Sequence, residues 1–241
     1  VYAVQGKTER ALAMLKKVIE LQPMNIEVRQ RQIDLLIEYG KKEEAITEYI
    51  NLAEVFFPLA ELDSARAAYS KALEMSKTTS DDGGIKLKLL HRLADIDIQR
   101  LDWESAINTF SEICESAPQN QKASISLTDL YFRLGQKPSA EREIDRFVEQ
   151  FDVSTDSESI HGYLAALKEE IPGEEYVYRK LVDLFTHLGQ KDLAISELDK
   201  LGELLLDGGQ RNEAVAVIEE IISLGPNNAD AYQKLLSQIR P

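Results

Sequence analysis

Residue types that commonly perform catalysis occur in this chain, but their spacing forms no catalytic or metal-binding motif. The histidines His91, His161 and His187 have no His or Cys three or four residues away, whereas a zinc site needs three or four ligands. Adjacent carboxylates such as Glu43 and Glu44 point in different directions on a helix, which does not suit an acid–base pair. We therefore expect no enzyme activity, no cofactor and no metal.

Acidic residues follow basic ones at a spacing of three in several places, and this pattern could serve recognition rather than catalysis. The pairs are Arg31 with Asp34, Arg92 with Asp95, and Lys180 with Asp183. On a helix such pairs lie on one face and add about 0.2 to 0.5 kcal/mol each to its stability. The same carboxylates could instead form a ladder that reads a basic or amide-rich partner. Both interpretations stay open.

The elements that carry these residues are predicted to be helices. Apolar residues recur at intervals of three and four in the segment TERALAMLKKVIEL. One predicted face carries Ala11, Leu12, Leu15, Val18 and Ile19, and the other carries Lys16, Lys17 and Glu20. Alternating β-branched runs closed by Asn-Gly or Asp-Gly turns, which indicate strands, are almost absent. The sequence therefore predicts an all-α fold.

Glycine and proline divide the helices at regular intervals. Glycines that end predicted helices, and prolines that follow others, are Gly6, Gly40, Gly135, Gly189, Gly209, Pro23, Pro118, Pro172 and Pro226. The first two glycines show a 34-residue period, and the last three prolines show a 54-residue period. Because the longer period adds about one helix and one turn, it predicts a 54-residue unit of three helices. We place such units at 24–77, 119–172 and 173–226, with an ordinary hairpin at 78–118 and a lone helix at each end.

The 34-residue spacing, with a glycine, an alanine five residues later and a bulky residue four further on, resembles the tetratricopeptide repeat. The residues Gly40, Ala45 and Tyr49 show this pattern. The resemblance implies an α-α superhelix, a solenoid of about thirteen antiparallel helices, which we expect to cover residues 1–241 as one domain. The polar segment at 77–84 is expected to be a flexible break.

In tetratricopeptide proteins the first helices form an inner wall that binds extended peptides or partner helices. The resemblance therefore implies candidate partner-binding positions on this chain, to which we add Tyr176 because it lies off the repeat's core positions and is expected, like Phe132, to be exposed. The candidates are Arg31, Asp34, His91, Arg92, Asp95, Asp129, Arg133, Tyr176, Arg179, Lys180 and Asp183.

Charge and composition narrow the possible partners. The net charge of −14 repels nucleic-acid phosphates and anionic membranes, so we expect a protein or peptide partner with basic groups. A single cysteine, Cys114, cannot form an internal disulfide, which favours a reducing, cytoplasmic location. Because the chain begins without Met, we expect it to be part of a longer protein. The predicted function is a non-enzymatic scaffold for protein binding; the alternative is a self-association or interdomain spacer module that pairs through its terminal helices.

Overall fold

The described part of the protein, residues 2–78 and 84–240 of a computed structural model, contains helices and no strand. The helices up to residue 117 are α1 (Tyr2–Leu21), α2 (Ile26–Glu38), α3 (Lys42–Phe56), a 3₁₀ turn (Phe57–Leu59), α4 (Leu62–Ser76), α5 (Gly84–Gln99) and α6 (Trp103–Ser116). The later helices are α7 (Gln121–Arg133), α8 (Lys137–Val148), α9 (Ser157–Glu170), α10 (Glu175–His187), α11 (Lys191–Asp207), α12 (Arg211–Leu224) and α13 (Ala229–Ile239). The prediction of an all-α fold of about thirteen helices is confirmed.

The chain divides into two compact units, residues 1–117 and residues 118–241. In the first unit each helix packs against the next in chain order, from α1 to α6. In the second unit α7 packs against both α8 and α9, and each helix from α9 to α13 packs against the next. The single solenoid over residues 1–241 stays a prediction, and the proposed break at 77–84 falls largely on residues 79–83, outside the described residues.

The three-helix unit is visible in the helix bounds. Helices α2 to α4, α7 to α9 and α10 to α12 fill the three predicted units, and the hairpin of α5 and α6 fills the predicted insertion. In two of the three units the middle helix packs against both of its neighbours in the chain: α3 packs against α2 and α4, and α11 packs against α10 and α12. Such a helix buries apolar residues on two sides.

Most predicted helix ends are confirmed by the backbone conformation. Gly40, Gly135, Gly189 and Gly209 all have φ between +67° and +75°, a left-handed conformation that glycine adopts without steric cost. The predicted helix end at Gly6 is wrong, because α1 runs through this residue. A glycine inside a helix costs only about 1 kcal/mol relative to alanine, which a helix of 20 residues can offset.

The small residues of the repeat pattern are completely buried. Ala45 and Ala65 in the first unit, and Ala194 and Ala214 in the second, are all 0% exposed. They occupy the positions that the repeat pattern assigned to small residues. Leu193 of α11 is 48% exposed, so the buried arc of that helix does not include this leucine.

Replacing Ala194 by Leu is expected to lower the free energy of unfolding by roughly 1 to 3 kcal/mol, because the added carbons have no space between α11 and its neighbours. The measurement is the urea midpoint of the full chain. Ala216→Leu is the matched control, since Ala216 is exposed on α12 and should accept the same change. Equal midpoints for the two variants would contradict the close approach at Ala194.

Leu101 occupies a left-handed position without being a glycine. Its φ is +58°, close to the φ of +69° at Gly135, which is the equivalent position of the next 34-residue repeat, and its side chain is 67% exposed. We expect Leu101→Gly to raise the free energy of unfolding by up to about 1 kcal/mol, because the left-handed conformation penalises a Cβ atom. Leu134→Gly is the control: Leu134 is 40% exposed and has φ of −88°, so glycine there should not stabilise. Chemical denaturation of both variants tests this.

Candidate functional site

An open pocket lies among α3, α4 and α5 of the first unit. It has a volume of about 490 Å³, and Glu54, Phe57 and Tyr69 line one part of it. The remaining lining comes from α5, with Arg92, Asp95, Ile96, Ile98 and Gln99. The structure therefore brings two predicted partner-binding residues, Arg92 and Asp95, to the wall of one pocket.

The pocket lining combines apolar surface with charged side chains. Phe57 is 40% exposed beside the pocket, while Ile96 is buried. Neither Glu54 nor Arg92 has an ion-pair partner among the described residues, and both side chains are exposed. A bound segment can therefore gain apolar contact and meet charges of both signs.

Tyr69 adds a hydrogen-bonding group to the pocket. It is 3% exposed, and this burial raises the pKa of its hydroxyl; Arg92 partly offsets the rise and Glu54 adds to it. The hydroxyl therefore stays protonated at neutral pH and is available to donate a hydrogen bond.

A buried carboxylate fixes α4 against α5 next to this pocket. Asp97 is 0% exposed, and Arg66 of α4 donates to it from Nε at 2.5 Å and from Nη2 at 3.2 Å. Arg100 donates to the same carboxylate at 3.3 Å and also pairs with Asp63 of α4 at 2.8 Å. Since Ile96 and Ile98 flank Asp97, these ion pairs hold the α5 wall of the pocket in place.

Replacing Arg66 by Gln is expected to lower the free energy of unfolding by roughly 3 kcal/mol, because the buried Asp97 carboxylate loses its two-point partner. Chemical denaturation followed by circular dichroism measures the change. Arg31→Gln is the control, since Arg31 is exposed on α2 and its loss should change stability by less than about 0.5 kcal/mol. If Arg66→Gln changed the free energy of unfolding as little as Arg31→Gln does, the role of Arg66 in holding α4 against α5 would be contradicted.

Comparison with known proteins decides the family. A family model described as "Tetratricopeptide repeat protein 21 ARM repeat" matches residues 1–139, which is more than half of the chain. The chain belongs to this family. The predicted resemblance to the tetratricopeptide repeat is thereby confirmed, and the candidate pocket lies inside the matched range.

Solved structures similar to this tetratricopeptide repeat chain have low sequence identity. A tetratricopeptide repeat protein from Parabacteroides merdae is 16% identical, with 96% of this chain and 98% of that chain covered and a TM-score of 0.43. A putative kinesin light chain with TPR-like repeats from Podospora anserina is 12% identical, with 90% and 94% covered and a TM-score of 0.42. A thermophilic TPR protein of Thermus thermophilus is 16% identical, with 81% and 98% covered and a TM-score of 0.33. No curated protein matches the chain.

The other predicted site residues of the first unit lie outside the pocket lining. Arg31 and Asp34 are exposed on α2, and Asp34 accepts a hydrogen bond from Gln30 at 3.3 Å. His91 is half-buried, with its ring edge toward Phe110 at a centroid distance of 6.4 Å. Their role in partner binding stays a prediction.

In the second unit several predicted binding residues contact each other or a neighbouring helix. Lys180 pairs with Asp145 of α8 at 2.7 Å, so the predicted pair with Asp183 is wrong. Tyr176 donates its hydroxyl hydrogen to the same Asp145 at 2.7 Å and lies beside the Lys180 ammonium. Tyr176 and Phe132 are half-buried rather than exposed as expected, because each packs against the core of this unit.

Further predicted residues of the second unit have separate surroundings. Asp129 and Arg133 pair with each other along α7 at 2.7 Å. Arg179 of α10 pairs with Glu220 of α12 and with Glu175. Asp183 lines a small pocket of about 120 Å³ together with Lys180 and His187. The carboxylates of the proposed ladder therefore have different surroundings. One is exposed, one forms an ion pair and two line separate pockets.

Sequence reasoning missed a glutamate that recurs in each three-helix unit. Glu48, Glu143 and Glu197 lie at equivalent positions of α3, α8 and α11, and each bonds to a residue on another helix. The partners are Arg29 at 3.3 Å, Ser124 at 2.7 Å and Lys168 at 2.8 Å, in that order. The last two glutamates follow the same 54-residue period as the prolines, and this was a signal that could have found them.

The third of these glutamates is held as a charged group. Burial by itself raises the pKa of Glu197, but hydrogen bonds from Lys168 and Lys200 outweigh that effect, so its pKa lies below the ordinary value. The carboxylate is therefore ionised at neutral pH and links α9 to α11. This contact serves the fold rather than an exposed site.

Asp97 was also missed. The 34-residue period aligns it with Tyr131, and the 54-residue period then aligns Tyr131 with Phe185. In two other copies of the repeat this position holds a bulky aromatic residue, which indicates a buried position. An aspartate there was the available signal, because a buried charge requires a partner.

The described residues contain neither a candidate metal-binding cluster nor a helix that could span a membrane. No group of three or more His, Cys, Asp or Glu side chains among residues 2–78 and 84–240 is arranged to hold a metal ion. Within the same residues, no helix has both the length and the apolar content that crossing a bilayer requires.

Proposed function

We propose that this protein is a non-enzymatic module that binds an extended segment of a partner protein. The observation that carries the proposal is the open pocket of about 490 Å³ in the first unit, with Phe57 exposed beside it. Its lining includes Glu54 and Arg92, which form no ion pair among the described residues. Apolar surface combined with a few polar groups is the usual composition of a binding site. The absence of enzyme activity rests on the scattered spacing of catalytic residue types in the sequence.

The charges around the pocket favour a segment with basic side chains. Glu54 and Asp95 contribute two carboxylates and Arg92 contributes one guanidinium, in a protein whose net charge is −14. A field of this sign attracts cationic segments and speeds their encounter with the protein. A lysine or arginine next to an aromatic or aliphatic side chain would meet both the carboxylates and Phe57.

Selection from a random library of peptides of about twelve residues tests this function. We expect selected peptides to combine basic and apolar residues, and the double change Glu54→Gln with Asp95→Asn to weaken their binding about tenfold, or roughly 1.4 kcal/mol. Phe57→Ala should also weaken binding, whereas Arg92→Gln should strengthen it, because it removes a repelling cation. Fluorescence anisotropy of labelled peptides measures these changes.

The control is Glu104→Gln, since Glu104 is exposed on α6 and does not line the pocket. It removes one negative charge from the protein without touching the site. Equal effects of Glu104→Gln and of the pocket double variant would show that only net charge matters and would contradict the proposed site. Self-association through the terminal helices stays a prediction.

A further inference from the structure

The first helix has an apolar surface on the side that faces away from its neighbour. Leu12 is buried in the core that α1 shares with α2. On the opposite side, Met14, Val18 and Leu21 are 70%, 38% and 83% exposed, so the prediction that Val18 shares the buried face of Leu12 is wrong. Their spacing of four and then three residues places them in one stripe along the helix. An exposed apolar stripe of this kind is a common feature of interaction surfaces.

Basic residues lie within the same stripe. Arg10 precedes Met14 by four residues and Lys17 precedes Leu21 by four, so both cations share this face of α1, and Lys7 lies one turn before it. All three side chains are exposed, and none has an ion-pair partner among the described residues. This face is therefore basic, although the protein as a whole carries a net charge of −14.

The equivalent face of another helix in the repeat shows that helices can cover such a surface. The 34-residue period aligns α3 with α1, so Glu48, Leu52 and Val55 correspond to Met14, Val18 and Leu21. On α3 this face is covered: Leu52 and Val55 are 3% and 6% exposed, and Arg29 of α2 pairs with Glu48. The equivalent surface of α3 is thus packed against other helices.

We propose that the stripe of Arg10, Met14, Lys17, Val18 and Leu21, here called the outer face of α1, docks an amphipathic helix of a partner protein. The partner helix carries acidic residues beside its apolar stripe. Its apolar residues cover Met14, Val18 and Leu21, while its carboxylates meet Arg10 and Lys17. This surface is separate from the pocket of α3, α4 and α5. It prefers an acidic partner, whereas the pocket favours a basic one.

The test uses two synthetic helical peptides with leucines at i, i+3, i+4 and i+7, one flanked by glutamates and its twin flanked by lysines. We expect the 241-residue chain to bind the glutamate peptide about tenfold more tightly than the lysine peptide by fluorescence anisotropy. The double change Arg10→Glu with Lys17→Glu should reverse this preference. Leu21→Ser should weaken the binding of both peptides, because it removes apolar area from the contact.

Two controls separate this surface from other effects. Arg211→Glu changes an exposed arginine on α12 and should leave the preference unchanged, and Phe57→Ala in the pocket should do the same. Circular dichroism checks that each variant keeps its helices. Equal affinity for the two peptides, or a preference that survives the double reversal, would overturn the proposal.

Two other occupants are distinguishable outcomes. Binding to phosphatidylserine vesicles that disappears in the Arg10→Glu, Lys17→Glu variant would assign the face to a membrane surface and overturn the proposal. Light scattering that shows a dimer of the unmodified chain, dissociated by the same double change, would assign the face to a second copy and also overturn it.

Discussion

The structure depends on the burial of each helix's apolar stripe against a neighbouring helix. An isolated amphipathic helix cannot remove this surface from water, so the helices are stable only as a packed series. Close approach requires small residues at the contact points, and Ala45, Ala65, Ala194 and Ala214 are completely buried there. The middle helices α3 and α11 meet this requirement on two sides, because each packs against the helix before it and the helix after it.

Charged residues have two separate roles within this packing. Where a carboxylate is buried, as at Asp97 or Glu197, two basic side chains neutralise it and connect adjacent helices. Such contacts define how the helices are aligned, because an unpaired buried charge would be costly. Exposed charges such as Arg92 and Arg10, which form no ion pair within the described part of the chain, remain available to a partner. The surroundings of each residue, rather than its type, decide between these roles.

Both proposed interaction surfaces combine apolar area with charged groups. The pocket presents Phe57 together with two carboxylates and one guanidinium, whereas the outer face of α1 presents three apolar side chains with cations. Apolar contact supplies most of the affinity of such surfaces, and the sign of the charges selects the partner. The two surfaces therefore favour partners of opposite charge.

The sequence by itself determined the helical class, the 54-residue unit, most helix ends and the small residues at helix contacts, because these follow from local periodicity and from the conformational limits of glycine and proline. It also selected Arg92 and Asp95, since the repeat assigns first-helix positions to the inner wall. Only the tertiary structure decided that Lys180 pairs with Asp145 instead of Asp183, and that Asp97 is buried between two arginines. Contacts such as Lys180 with Asp145 and Arg66 with Asp97 join residues that are distant in the chain, and their partners depend on how helices are rotated and spaced, which local periodicity does not specify.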